Sequence, residues 1–138
     1  MTQLAALFRY LQFFAHAAHN TVRGENFFAD HGFLGDLYGT YESAYDSIIE
    51  RMIGLGQTPN IVGITAAGAS LFAAADQEDT WGTLVAGEVK LRELVDAAIA
   101  EPGASQGTIN MLVDLADQSE ARTYKLCQRA YEPAEMED

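Results

Sequence analysis

Apolar residues recur every three or four positions over two long stretches in the first half of the chain, which is the spacing of one face of an α-helix. This spacing predicts helices over residues 2–22 and 27–55, with stops at Gly24 and Gly56 and with Pro59 beyond the second stop. The apolar positions of the first helix are Leu4, Phe8, Leu11, Ala15 and Ala18. Those of the second are Phe28, Leu34, Leu37, Tyr38, Tyr41, Tyr45, Ile48, Ile49 and Met52.

A long crossover follows, over residues 60–76, and its apolar centre at 64–75 predicts a short helix. Two further helices are predicted over residues 79–100 and 105–130, with Asp79 and Ser105 as N-caps. Two helices, a long crossover and two more helices are the connectivity of an all-α, ferritin-like four-helix bundle. We expect one such domain over residues 1–130 and an acidic, disordered tail over 131–138.

Small and unusual residues refine this picture. Gly32, Gly35 and Gly39 each lower the helix propensity of the second helix by about 1 kcal/mol relative to Ala, so packing must hold it, and small residues allow a close neighbour.

Cys127 is the single cysteine and lies in an apolar helical stretch. It is therefore expected to be a buried thiol in a reducing compartment.

The chain carries a formal net charge of −12, with 20 acidic and 8 basic residues. Such a surface repels nucleic acid and attracts cations, so DNA binding is not expected, although acidity also serves simple solubility.

The N-terminal stretch lacks the charged region and cleavage site of a signal peptide, and no apolar run is long enough to span a membrane. A soluble cytoplasmic protein is expected.

The residues that could bind a metal do not follow the usual di-iron pattern. The Glu-x-x-His motif of di-iron bundles is absent. Asp46 and Glu50, four residues apart, share one face of the second helix, whereas all three histidines fall within residues 16–31. Imidazole and carboxylate together suit iron. Taken singly, an Asp–Glu pair is more often a solvated face, and a histidine at a helix end is more often a cap or a packing residue.

Two stretches resemble the Dps family, the twelve-subunit mini-ferritins of bacteria. Residues 16–31, HAAHNTVRGENFFADH, resemble the signature H-x-x-H-W-x-V-x-G-x-x-F-x-x-x-H, and residues 46–59, DSIIERMIGLGQTP, resemble D-x-x-x-E-R-x-x-x-L-G-x-x-P. The intervals of twelve, fifteen and four residues between His19, His31, Asp46 and Glu50 are also those of the family. The close match covers about residues 11–59.

The resemblance implies a ferroxidase and iron-storage cage. By it, His19, His31, Asp46 and Glu50 are the iron ligands, with the histidines from one subunit and the carboxylates from its two-fold mate. Such a cage oxidises Fe(II) with hydrogen peroxide or dioxygen and stores ferric mineral, which protects against oxidative stress. The expected partner is the chain itself, as a homododecamer.

Two departures from the family pattern leave a second interpretation open. The family's tryptophan after the first ligand histidine is Asn20, and the N-terminus has no lysine-rich extension. The first departure puts the oxidation rate and the handling of one-electron products in question. The alternative is therefore a structural cage with the same fold and weakened or lost iron chemistry.

Overall fold

The computed structural model describes residues 1–131, and within that range the chain forms five α-helices and no strand. The all-α class predicted from the sequence is confirmed. The helices are α1 (Thr2–Thr21), α2 (Phe27–Gly54), α3 (Ile61–Ala74), α4 (Thr80–Ile99) and α5 (Gln106–Ala130). The tail expected to be disordered lies, from residue 132 onward, outside the described residues.

The helix ends follow local chemistry. The side chains of Asp79 and Ser105 accept hydrogen bonds from the backbone N–H groups three residues ahead, at 3.1 and 3.2 Å, so both predicted N-caps are confirmed. Gly24 and Gly56 adopt φ values of +101° and +84°, which other residues rarely tolerate. The short crossover helix begins at residue 61 rather than 64, because the side chain of Asn60 caps it.

The five helices form two hairpins joined by the crossover. α1 packs on α2, α4 packs on α5, and α3 packs on α1. Trp81 near the start of α4 lies beside Phe33 near the start of α2, with ring centroids 6.3 Å apart. The crossover leaves the far end of α2, so it returns along the length of the bundle before α4 begins. Within the described part of the chain, no helix is both long and apolar enough to cross a membrane.

One cluster of buried apolar side chains fills the space between the helices. Its largest fully buried members include Tyr41, Phe8, Phe14, Leu4, Leu11, Leu34, Ile48, Leu84, Leu91, Leu112 and Leu126. These come from α1, α2, α4 and α5, so burial, rather than the low helix propensity of a glycine-containing α2, holds the helices in place.

Two expectations about burial are wrong. Cys127 is exposed, because it follows the buried Leu126 by one position and so lies about 100° further round α5. Phe28 is 88% exposed although it was assigned to the apolar face of the second helix. The first turn of α2 buries Asp30 instead, and the carboxylate of Asp30 accepts two hydrogen bonds from the guanidinium of Arg129, at 3.0 and 2.9 Å.

A buried carboxylate lies at the centre of the bundle. Glu88 on α4 is fully buried and accepts hydrogen bonds from four donors on two other helices. Tyr41 Oη donates at 2.7 Å, Ser119 Oγ at 2.6 Å, and the guanidinium of Arg122 donates through Nε at 2.6 Å and through Nη2 at 3.2 Å. Burial, followed by the nearby Glu88 carboxylate, raises the pKa of Tyr41 well above its usual value.

Replacing Arg122 by Met should lower the free energy of unfolding by about 3–5 kcal/mol, because the buried Glu88 carboxylate loses its counter-charge. Urea unfolding followed by circular dichroism measures the change. The double variant Arg122→Met with Glu88→Leu should recover part of the loss. The matched control is Glu93→Gln, which breaks the exposed Lys90–Glu93 pair and should cost less than about 1 kcal/mol. An equal loss in Arg122→Met and Glu93→Gln would contradict the account.

Candidate metal centre

The loop between α1 and α2 brings two histidines face to face. His19 lies in the last turn of α1 and His31 in the second turn of α2, and the short connection makes the two helices antiparallel neighbours. The two imidazole rings are stacked, with centroids 3.7 Å apart and planes inclined by 18°. Two of the predicted ligands are therefore brought together within one chain.

Reciprocal hydrogen bonds hold the two rings in position. Nδ1 of His19 lies 2.6 Å from the backbone carbonyl oxygen of His31, and Nδ1 of His31 lies 2.8 Å from that of His19. Because a carbonyl oxygen can only accept, each Nδ1 must carry the hydrogen. In the neutral imidazole, each Nε2 then carries the lone pair that a metal would bind. The geometry therefore presents two oriented imidazole ligands.

A glycine makes room for the pair. A Cβ atom built on Gly35 of α2 would lie 3.1 Å from Cε1 of His19, which is closer than most real contacts of a Cβ atom. The close approach expected of the glycines in α2 is therefore observed at Gly35. At Gly32 and Gly39 an added Cβ atom would meet nothing within 4 Å.

Aromatic rings surround the histidine pair on both sides. Phe27 stacks on His31 with a centroid separation of 4.9 Å, and Tyr38 presents its ring at 68° to His19 with a separation of 5.4 Å. His16 is exposed and stacks on Tyr38 at 4.1 Å. His16 therefore belongs to the frame around the pair, and its ring centroid is 6.3 Å from that of His19.

The two predicted carboxylate ligands lie elsewhere. Asp46 and Glu50 are both exposed on α2, one turn apart. Asp46 is fifteen residues after His31 in the same helix, which corresponds to about 22 Å along the helix axis. Within residues 1–131, no group of three or more His, Cys, Asp or Glu side chains is arranged to hold a metal ion. One chain alone therefore does not assemble the four predicted ligands.

The surroundings of the two carboxylates differ from those of the histidines. Glu50 lines a cavity of about 520 Å³ between α2 and α5, together with Ser47, Arg51, Gly54, Leu55 and Met111. The guanidinium of Arg51 reaches across to α5, where its Nη1 atom would lie 3.1 Å from a Cβ atom on Gly107. Glu50 is therefore exposed at the edge of an open groove.

Two buried carboxylates with structural roles were missed from the sequence. Asp30, immediately before His31, ties the start of α2 to the end of α5 through Arg129, and the hydrogen bonds that the guanidinium donates to this carboxylate raise the pKa of Arg129. Glu88 was considered only as part of a Glu-x-x-His motif, and its burial depends on partners 31 to 47 residues away. No local signal in the sequence marks those partners.

No protein-family model, curated protein or solved structure matches this chain. The assignment of a function therefore depends on the chain's own residues.

Replacing Gly35 by Val should displace the His19 ring, because the added methyl groups extend beyond a Cβ position that is already close to that ring. The imidazole Cε1–H resonances of His19 and His31 in a proton NMR spectrum should shift together. Gly39→Val is the control, since it makes the same change in helix propensity at a position where an added Cβ atom meets open space. The change in propensity is worth less than about 1 kcal/mol. Unchanged histidine resonances in Gly35→Val would contradict the proposed packing.

Proposed function

We propose that this chain is the subunit of a Dps-type mini-ferritin, a ferroxidase and iron-storage cage whose iron sites are shared between two copies. The observation that carries the proposal is the histidine pair, two stacked imidazoles whose Nδ1 atoms are held by carbonyl oxygens so that both Nε2 atoms are free to bind a metal. Imidazole is a common ligand of iron, and hydrogen bonding of the opposite ring nitrogen is typical of metal-bound histidine.

A site shared between copies accounts for the separation of the ligands. His31 and Asp46 lie about 22 Å apart along one helix, too far to bind one ion. In a two-fold interface, every contact occurs twice, with the roles of the two copies exchanged. The histidine pair of each copy can therefore meet Asp46 and Glu50 of its mate. The exposure of both carboxylates supports this arrangement.

The ligand set favours oxidation of the bound ion. Fe(II) is the substrate, and two carboxylates would neutralise its charge while two imidazoles complete the set. Because carboxylate oxygens stabilise Fe(III) more than Fe(II), the ligands favour loss of an electron to hydrogen peroxide or dioxygen. The net charge of −12 per chain draws ferrous ions towards the assembly, and the ferric product would collect as mineral in the cage.

Among the residues that the structure describes, the interior of the bundle offers no competing site. Each oxygen of the buried Glu88 carboxylate accepts two hydrogen bonds from side chains, and the Arg122 guanidinium already supplies the positive charge that a metal would bring. This buried salt bridge supports placing the iron chemistry at the surface, between subunits, rather than within the four-helix core.

The second candidate is a structural cage with weakened iron chemistry, and Asn20 is the observation that favours it. Asn20 is exposed at the end of α1, where the family pattern has a tryptophan. Adding Fe(II) without oxygen, then hydrogen peroxide, and following the ferric absorbance separates the two candidates. Rapid ferric formation supports the ferroxidase, whereas an assembled cage without it supports the structural role.

The purified protein should be a closed homo-oligomer of twelve subunits, because a shared site exists only when the interface forms. Light scattering should give a mass near 180 kDa, which is twelve times the 15.0 kDa of one chain. A stable monomer would contradict both the cage and the shared site.

Replacing Glu50 by Gln or Asp46 by Asn should abolish rapid oxidation of Fe(II) while leaving helicity and assembly nearly intact, since each change removes an anionic ligand but keeps its size. His31→Ala should act in the same direction. His16→Ala is the control and should have a modest effect, because His16 stacks on Tyr38 and is not a proposed ligand. The ligand assignment is wrong if Glu50→Gln oxidises iron at the parental rate.

Mixing two inactive variants tests the sharing directly. When His31→Ala and Glu50→Gln subunits are unfolded, combined in equal amounts and refolded, about half of the two-fold interfaces pair unlike copies, and each of these has one intact site. The mixture should recover about a quarter of the parental rate. Sites contained within single chains would show no recovery.

A further inference from the structure

Tyr38 contacts the histidine pair, and no other tyrosine among the described residues does so. Its ring meets that of His19 edge-on, at 5.4 Å between centroids, and is fixed on its other side by stacking on His16 at 4.1 Å. The side chain is partly exposed, so a proton released from its hydroxyl can pass to water. An oxidisable ring therefore touches one of the proposed iron ligands.

We propose that Tyr38 is a one-electron donor to the iron site and that it acts when a single ferrous ion there meets hydrogen peroxide. This inference rests on the proposed ferroxidase function. Hydrogen peroxide must take two electrons to become water, and one ferrous ion supplies only one of them. Without a second donor nearby, cleavage of the O–O bond releases a hydroxyl radical.

The balanced step uses one peroxide, one ferrous ion, one proton and the phenol of Tyr38. The O–O bond breaks, Fe(II) becomes Fe(III), the phenol loses one electron and its hydroxyl proton to become a neutral tyrosyl radical, and both peroxide oxygens leave as water. The electron crosses the contact between Tyr38 and His19. No hydroxyl radical is released, and a later ferrous ion or an external reductant returns Tyr38 to the phenol.

The other oxidisable rings are less suitable. Tyr41 is fully buried and its hydroxyl donates to the anionic Glu88, so its ring lies in the bundle core rather than at the histidines. Trp81, the single tryptophan, lies under the guanidinium of Arg129, 4.8 Å from its ring centroid. This positive charge opposes formation of a tryptophan cation radical.

Position 20 makes the role of Tyr38 specific to this chain. The residue after His19 is Asn20, which is exposed to solvent. Its side-chain amide cannot serve as a one-electron donor in the way that an aromatic ring can. The ring that contacts His19 comes instead from α2, eighteen residues further along the chain. The hairpin between α1 and α2 thus supplies from the second helix an oxidisable ring that the first helix lacks.

The test is to load the assembled protein anaerobically with one Fe(II) per site, add one equivalent of hydrogen peroxide, and freeze samples for electron paramagnetic resonance. The parent should show ferric absorbance together with a tyrosyl signal that narrows when the protein is made with ring-deuterated tyrosine. Tyr38→Phe keeps the stacking ring, so it should still form ferric iron but lose the radical. A spin trap should then report released hydroxyl radical.

Two further variants sharpen the result. Tyr124→Phe removes an exposed phenol on α5 and should keep the parental radical. Tyr38→Trp restores an oxidisable ring and should give a tryptophanyl signal with less trapped hydroxyl radical than Tyr38→Phe. Tyr38→Trp, together with deuterium labelling of the parent, tests the assignment of the radical to Tyr38 even where Tyr38→Phe assembles poorly.

The outcomes separate the two proposals. If the parent forms no ferric iron, the ferroxidase function and the inference that depends on it are both overturned. If ferric iron forms but the radical persists in Tyr38→Phe, is insensitive to tyrosine deuteration or is absent from the parent, the role of Tyr38 is overturned and the ferroxidase function stands.

Discussion

A carboxylate buried in the centre of a helical bundle needs hydrogen-bond donors around it, and the packing of this protein depends on the donors that surround Glu88. Its partners come from α2 and α5, so one side chain of α4 links both hairpins. An unpaired charge in that position would cost several kcal/mol, which restricts how the two hairpins can pack against each other. The relative position of α2 and α4 follows from this constraint.

The same bundle has a second polar tie at its end. Asp30 and Arg129 hold the last turn of α5 against the first turn of α2, and the guanidinium also covers Trp81 at the start of α4. His31 is the next residue after Asp30, so the backbone carbonyl that orients His19 belongs to the turn of α2 that Arg129 contacts. The position of the histidine pair thus depends on contacts at this end of the bundle.

This arrangement relates the proposed chemistry to assembly. In the proposed ferroxidase, the pair of imidazoles oriented by their Nδ1 hydrogen bonds supplies half of the metal site, and Asp46 and Glu50 supply the second half at a distance that one chain cannot close. If two copies complete each other's sites, activity follows assembly, and an unassembled subunit cannot oxidise iron in solution. The buried salt bridge at Glu88 fits this proposed division, because both oxygens of its carboxylate are already hydrogen-bonded within the core.

Much of the fold could be predicted from the sequence because its signals are local. Helix periodicity, the caps at Asp79 and Ser105 and the glycine stops depend on residues within one or two turns. The resemblance of two stretches to the Dps signatures indicated His19, His31, Asp46 and Glu50 as candidate ligands, and connectivity indicated a long crossover. Only the tertiary structure decided the ring stacking and Nδ1 hydrogen bonds of the histidines, the contact of Tyr38 with His19, the burial of Glu88 and the exposure of Cys127. Each of these depends on which helix face meets a neighbour, and contacts between residues twelve to ninety-nine positions apart leave no periodic trace in the chain.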